Sequence, residues 1–425
     1  MKIYMIGIGG IGMSALAQLY LSEGHEVSGS DRENSPTTDL LEKKGVRVLI
    51  RQKADNVPKD AGLVVYSDAV WEDNPERVRA KELKLREVSY FEGLGEFSKD
   101  KYTIAIAGTH GKTTTTAMLA KVLQQSGKNP TAVIGSIIPE FESNFLEGSE
   151  KLFVVEACEY KDHILDLTPS VLVITNVEWD HTDWFPSLSA LQKTFERAVS
   201  ALPKEGALIT DSAHPHIAPI AAKAECRVID YTKQNVPNLQ IPGEFNIANA
   251  RAAKAAARAL FPDIPEAAID RSLSSFKGAW RRFEKKGTTK EGALVYDDYA
   301  HHPTAIAATL RAARQKFPGQ KIIVAFHPHL YTRTRDLMEE FAASFSDADL
   351  VLLAPIYAAR EEPISGITSE ALAEKIRSQG KEAEALPSLE AAYERLRELS
   401  SKDSIIFTMG AGDIYKIAVR LIHAN

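Results

Sequence analysis

Two glycine-rich stretches carry the residues with the clearest chemistry. Ala107-Gly108-Thr109-His110-Gly111-Lys112-Thr113-Thr114 follows an apolar run and opens a helical one. A strict phosphate-binding loop has a glycine five residues before Gly111, where this chain has Ile106. Gly108 comes two positions later, so the turn is a tighter variant. Its working parts remain. Backbone amides over Gly108, Thr109, His110, Gly111 and Lys112 can cradle phosphate, and Lys112 can reach the β and γ oxygens. The hydroxyl of Thr113, followed by Thr114, can ligate Mg²⁺. Such a loop also needs a carboxylate at the end of a neighbouring strand, and Glu156, closing Leu152–Val155, stands where one is required. The expected ligand is a nucleoside triphosphate.

The second stretch is Gly7, Gly9 and Gly12, a G-x-G-x-x-G after an apolar run, with Asp31 closing the next one. Gly7 permits a tight turn, Gly9 lets a diphosphate approach the backbone, and Gly12 lets helix and strand pack closely. The helix start offers free N–H groups and positive dipole charge to an anion. Alone this reads as nicotinamide dinucleotide binding, but the motif seats a diphosphate without identifying the nucleoside. Together the two loops are more telling. A dehydrogenase has no use for a phosphate-transfer loop, and a simple ATPase has none for a dinucleotide-type turn. An enzyme that uses ATP to activate a substrate carrying a nucleoside diphosphate needs both.

Further polar clusters stand where strands are expected to end, the usual address of α/β sites. Asn176-Val177-Glu178-Trp179-Asp180-His181-Thr182-Asp183 offers a metal or phosphate ligand in His181. Asn246 and Asn249 lie one helical turn apart and can read a base edge or cap a helix. Arg281-Arg282 suits a phosphoryl clamp or a solvated pair. Asp297-Asp298-Tyr299-Ala300-His301-His302 can orient an amine or bind ribose. His327–Arg335 supplies cations, and Gly410-Ala411-Gly412-Asp413 adds a last loop.

The elements that must position these residues follow from alternation. Short β-branched runs (Lys2–Ile6, Leu63–Tyr66, Tyr102–Ala107, Leu152–Glu156, Val171–Thr175, Lys321–Phe326, Leu350–Ala354, Ile405–Met409) alternate with longer helical patterns, the mark of parallel α/β sheets. The length of 425 residues suggests about three domains. Two loop-bearing units place one boundary near Ser98, and the basic stretch after an alanine-rich helix (Ala248–Leu260) places another near Phe276–Arg282. The expected pieces are 1–98, 99–276 and 277–425: a Rossmann-like domain, a central P-loop ATPase-type domain and a further Rossmann-like α/β domain. A net charge of −6 advertises neither a nucleic-acid partner nor an anionic membrane surface. No apolar run approaches a membrane span, and the first residues lack a signal-peptide layout. Two cysteines, Cys158 and Cys226, exclude a disulfide scaffold and fit a reducing, cytoplasmic compartment. The oligomeric state stays open between monomer and dimer.

Taken in order, Gly7–Ser14, Gly108–Thr114, Glu156-Ala157, Asn176–Asp183, Asn246–Asn249, Arg281–Glu284, Asp298–Thr304 and Gly410–Ile414 resemble the Mur ligases of peptidoglycan synthesis. The resemblance covers all three pieces. It implies that the front domain holds the UDP of a UDP-sugar rather than NAD, with Gly9, Gly10, Gly12, Ser14, Asp31, Ser67 and Asn144 lining it. It implies ATP and Mg²⁺ in the central domain, with the metal on Thr113, Glu156 and His181. Asn246 and Asn249 would contact adenine, Arg282 the phosphates and Asp298 the ribose. His301 and Arg333 would sit near an incoming amino acid, Arg333 on its carboxylate, with Lys112 and His181 serving phosphoryl transfer. The implied reaction joins L-alanine to the lactyl carboxylate of UDP-N-acetylmuramate through an acyl phosphate. The chain departs from the usual family pattern at Asp68, Cys158, Phe245 and Leu330, and no lysine stands where later-step ligases carry a carbamylated one. The rival readings are a recycling ligase that adds a tripeptide to the same UDP-sugar, a nicotinamide-dependent dehydrogenase, and a non-catalytic nucleotide switch.

Overall fold

The computed structural model describes residues 1–359 and 361–423. Three sheets follow one another along the chain. The first contains β1 (Lys2–Ile6), β2 (Glu26–Asp31), β3 (Arg47–Ile50), β4 (Leu63–Tyr66) and β5 (Glu87–Ser89), in the order β3-β2-β1-β4-β5. All its pairings are parallel. The second contains β6 (Tyr102–Ala107), β7 (Pro130–Ile138), β8 (Ser143–Leu146), β9 (Ser149–Glu156), β10 (Val171–Ile174), β11 (Ala207–Thr210) and β12 (Arg227–Asp230). Its order is β12-β11-β10-β6-β9-β7-β8, with β8 antiparallel at the edge. The third contains β13 (Glu284–Thr288), β14 (Leu294–Asp298), β15 (Lys321–Phe326), β16 (Leu350–Leu353), β17 (Glu382–Ala385) and β18 (Ser404–Met409). Its order is β13-β14-β18-β15-β16-β17, with β13 antiparallel.

Parallel strands covered by helices on both faces must be apolar on both, and these are. In β15, Ile322, Val324 and Phe326 pack with Ile306, Leu310 and Phe341 on one side. Ile323 and Ala325 pack with Leu396, Ile417 and Leu421 on the other. The strand ends are therefore where polar residues become affordable, and the candidate site residues collect there.

By backbone packing the chain divides into two units. The first comprises 1–177, 191–237 and 248–275, and so carries the first two sheets; the second comprises 178–190, 238–247 and 276–425. The Asn176–Asp183 motif is thereby divided after Val177. The helix Glu244–Leu260 passes from one unit to the other, with Asn246 on one side of the division and Asn249 on the other. Among the described residues, no helix is long and apolar enough to cross a membrane.

Candidate active site

In the first unit, the front glycine loop is closed by its own neighbours. Gly7 has φ +79°, a left-handed conformation that favours glycine, and both its N–H and that of Ile8 donate to the Ser30 carbonyl at 2.9 Å. The Gly9 N–H donates to Asp31 Oδ2 at 2.8 Å, while Asp31 Oδ1 accepts from Arg32 N–H at 2.7 Å. A Cβ on Gly9 would lie 2.7 Å from Thr38 and 2.9 Å from Asp31 Oδ2. Gly9 is thus small beside Asp31 and Thr38, and Asp31 braces the loop. Gly10 caps the helix Ile11–Ser22, whose first N–H groups remain available to an anion. Ser67 takes its place beside Gly7, its Cβ 3.2 Å from where a Gly7 Cβ would stand.

Ser14 and Asn144 join the front-loop helix to β8. Both are fully buried. Asn144 Nδ2 donates to the Ile11 carbonyl and to Ser14 Oγ at 2.9 Å. Asn144 Oδ1 accepts from Gln18 Nε2 at 2.9 Å, and Gln18 Oε1 accepts from Ser143 Oγ at 2.8 Å. Through these bonds the residues hold the glycine-loop helix onto β8. Buried polar networks of this kind specify one packing only when fully satisfied.

The second loop is held from outside as well. Thr109 N–H donates to the Asn176 carbonyl (3.1 Å) and His110 N–H to Asn176 Oδ1 (2.9 Å). Asn176 Nδ2 and Thr175 Oγ1 donate back to the His110 carbonyl (2.9 and 2.6 Å). Asn176 thus uses two of the amides that the sequence suggested for phosphate, leaving those at the start of the helix Lys112–Gln125. Gly111, at φ +83°, caps that helix, and a Cβ there would lie 2.1 Å from Asn249 Oδ1. Thr114 is buried within the first turn.

Lys112 lies folded back onto its own loop. Its ammonium donates to the Gly108 carbonyl and is 3.0 and 3.2 Å from the two oxygens of Glu159, a buried carboxylate. Burial works against the lysine's charge, but Glu159, with Glu156 behind it, overrides this and holds the pKa above its ordinary value. Burial pushes the Cys158 thiol up to about 12. Thr113 Oγ1 donates to Glu156 Oε1 at 3.1 Å, and Glu156 Oε2 accepts from Gly135 N–H at 2.9 Å. A Cβ on Gly135 would lie 2.4 Å from that oxygen, so the carboxylate is seated by a glycine. A hydroxyl beside a fixed carboxylate is the hard-oxygen donor set that a Mg²⁺ ion accepts.

In the second unit, Asp180 is the organiser. Its Oδ1 accepts from His181 N–H (2.7 Å) and from Arg333 Nε (2.8 Å), all but excluded from water. Burial opposes its charge, but Arg333 and the surrounding histidines hold the carboxyl well below the usual range. His181 adopts φ +52°, a strained conformation of the sort that collects at working sites. Arg333 Nη1 donates to His329 Nδ1 (3.0 Å), whereas Nη2 has no hydrogen-bond partner among the described residues. The guanidinium is anchored by one side and offers the other.

The neighbouring histidines separate by their partners. His302 Nε2 lies 3.2 Å from the Trp179 carbonyl and Nδ1 accepts from Thr304 N–H at 3.3 Å, so it caps the helix Pro303–Lys316. His301 Nδ1 lies 2.9 Å from the Tyr299 carbonyl, which can only accept, so Nδ1 carries the proton and Nε2 a lone pair. Burial and Arg333 hold His301 well below the ordinary histidine value, keeping it neutral.

The two arginines also divide. Arg281 is buried: Nε donates to Asp297 (2.8 Å), Nη1 to the Gly412 carbonyl (3.2 Å) and Nη2 to the Gly410 carbonyl (2.6 Å). Arg282 is half-buried, 5.0 Å over the Tyr299 ring. Asp298 accepts from Phe283 and Ala300 N–H, each at 2.7 Å. Burial raises its pKa to about 6, with Arg282 pulling the other way. Asn246 Nδ2 donates to the Pro242 carbonyl at 2.6 Å.

Gln18, Glu159 and the bracing role of Asn176 were missed by the sequence reading. Glu159 had one signal, its presence three residues after Glu156 on the same strand exit.

Comparison with known proteins adds the following. Residues 2–102 match the model for the Mur ligase family catalytic domain, 106–239 that for the Mur ligase middle domain, and 281–412 that for the Mur ligase glutamate ligase domain. The UDP-N-acetylmuramate–L-alanine ligase of Clostridium novyi is 38% identical, over 100% of this chain and 98% of that protein. The protein of the same name from Salinibacter ruber is 39% identical, over 98% and 93%. Among solved structures, the UDP-N-acetylmuramate-alanine ligase of Thermotoga maritima matches with a TM-score of 0.82 at 29% identity, over 100% and 98%. A murein peptide ligase from Psychrobacter arcticus matches with a TM-score of 0.76 at 26% identity, over 100% and 98%.

Proposed function

This chain belongs to the Mur ligase family, and on that premise we propose that it joins L-alanine to the lactyl carboxylate of UDP-N-acetylmuramate, using ATP. The observation that carries this is the end-to-end likeness to L-alanine-adding ligases in a chain holding both cradles. The dehydrogenase reading lapses with the family assignment. The tripeptide-adding reading ranks lower on the weaker likeness to a murein peptide ligase.

The carboxylate of the sugar's lactyl arm attacks the γ-phosphorus, giving an acyl phosphate and ADP. The alanine amine then adds to the acyl carbon, and the tetrahedral intermediate expels phosphate. Phosphoryl transfer asks the protein chiefly for in-line positioning and charge neutralisation. Triphosphate would lie on the amides at the start of the helix Lys112–Gln125, and its negative charge would draw Lys112 from the Gly108 carbonyl and Glu159 onto the β and γ oxygens. Thr113 and Glu156 would hold one Mg²⁺, with His181 serving a second. Bound there, the metal neutralises charge on the transferring phosphoryl group. Asn246 and Asn249 serve the adenine and Arg282 the phosphates. Arg333, already fixed by Asp180, presents its remaining N–H groups to the alanine carboxylate. His301 Nε2 accepts the proton that the nitrogen sheds once it has bonded to the acyl carbon. We place the reaction in the cytoplasm, where ATP is available and Cys158 and Cys226 stay free.

The test is product formation. ADP release with UDP-N-acetylmuramate should require L-alanine, and a product of matching mass should appear. Release driven instead by the tripeptide, with L-alanine inert, would sink this reading.

Asp298 supplies a pH signature. Its carboxyl sits at about 6 in the fold against 3.8 unperturbed, so it protonates earlier on acidification. Only the carboxylate can accept from both ribose hydroxyls. The KM for ATP should therefore climb as pH falls through about 6 and be flat above. Asp298→Asn should have a raised KM without that bend; a bend surviving in the variant would assign it to another group.

A further inference from the structure

Tyr90 opens the helix Tyr90–Ser98 directly after β5, where Ser89 and Glu92 cap one another. The cap fixes the backbone, and the ring is fixed too. A Cβ on Gly12 would lie 2.7 Å from Tyr90 Cζ and 2.8 Å from its oxygen, so the third glycine of the front loop is small because this phenol lies against it. The ring also meets Phe91 edge-on at 4.7 Å, and Phe91 stacks on His163 at 3.9 Å. Held in this way, the hydroxyl is aimed by the fold and loses little freedom on meeting a ligand.

That hydroxyl makes no hydrogen bond to any described residue, although the residue is half-buried. The hydroxyl is not sealed from water, so it is open to an incoming acceptor. Its setting says what the partner is. One neighbour is the first turn of the helix that seats the diphosphate, and Glu156 is near enough to act on it electrostatically. Burial first, then the charge of Glu156, pushes the phenol's pKa up, so it keeps its proton and is a donor at every working pH.

We propose that the Tyr90 hydroxyl donates a hydrogen bond to an anionic oxygen of the bound UDP-sugar, at the place where the front cradle approaches Glu156. This rests on the reading of the front cradle given above. Two oxygens have the required chemistry, one on the diphosphate and one on the lactyl carboxylate.

Tyr90→Phe keeps the ring against Gly12 and Phe91 and removes only the donor. Titration calorimetry of wild type and variant with UDP-N-acetylmuramate, UDP and ATP tests the idea. A hydrogen bond to a charged oxygen implies that the variant's Kd for UDP-N-acetylmuramate rises about tenfold or more. The Kd for ATP and the melting temperature should stay unchanged. Parallel weakening of UDP binding assigns the bond to the diphosphate, and weakening confined to UDP-N-acetylmuramate assigns it to the lactyl carboxylate. An unaltered Kd for both in the variant overturns the proposal alone. Failure of the wild type to bind either overturns the reading of the front cradle and the proposal with it.

Discussion

Lys112→Ala is expected to lower ADP formation by about a thousandfold or more, the scale of losing a preorganised charge at a transferring group. The Kd for UDP-N-acetylmuramate should not move. The contrast arises because Lys112 serves the triphosphate loop only, held by Gly108 and Glu159 and bonded to nothing in the front cradle. A complication follows from the same ion pair. Glu159 is about 1% exposed, so removing the lysine takes the opposing charge from a buried carboxylate. Stranding one partner of a buried pair costs about 3–5 kcal/mol, enough to lower the melting temperature and blur the kinetic result. Lys112→Ala/Glu159→Gln should restore melting while leaving the reaction lost. Retention of more than about a tenth of wild-type turnover in that double variant would remove Lys112 from phosphoryl transfer.

The second large effect is on the fold. Arg281→Ala is expected to destabilise the second unit by about 3–5 kcal/mol, because it leaves Asp297 buried without its cation and two loop carbonyls without a donor. For a unit of this size that corresponds to a melting temperature lower by about 10 °C. Its neighbour should behave oppositely: Arg282→Ala should melt normally and raise the KM for ATP. Equal melting of the two variants would contradict the division of labour drawn between them. Replacing Arg281 and Asp297 together by apolar residues should recover much of the loss, since a stranded charge costs more than an absent pair.

These cases show what local pattern conveys. The strands Lys2–Ile6, Leu63–Tyr66, Tyr102–Ala107 and Lys321–Phe326 have the expected bounds because a fully covered parallel strand must be an unbroken apolar run. The helix after the second glycine loop begins at Lys112, because its cap, Gly111, lies in the loop itself. What pattern cannot convey is partnership across the chain. Gln18 meets Asn144 across 126 residues, and Arg281 meets the Gly410 carbonyl across 129. Asp31 illustrates a subtler case. A carboxylate closing β2 looks the same in sequence whether or not it accepts from a neighbouring amide, as Asp31 does from Gly9. Three-dimensional accounting of donors and acceptors separates these outcomes.

The knot of Ser14, Gln18, Ser143 and Asn144 bears on how the protein can be dissected. Expressing the first hundred or so residues as a free-standing module would strip Ser14 and Gln18 of the amide and hydroxyl that answer them from β8. The helix would then present unanswered polar groups alongside bared apolar surface, an invitation to aggregate. The smallest truncation compatible with this wiring keeps both leading sheets, and the nucleotide-sugar seat is inherited only together with the triphosphate loop.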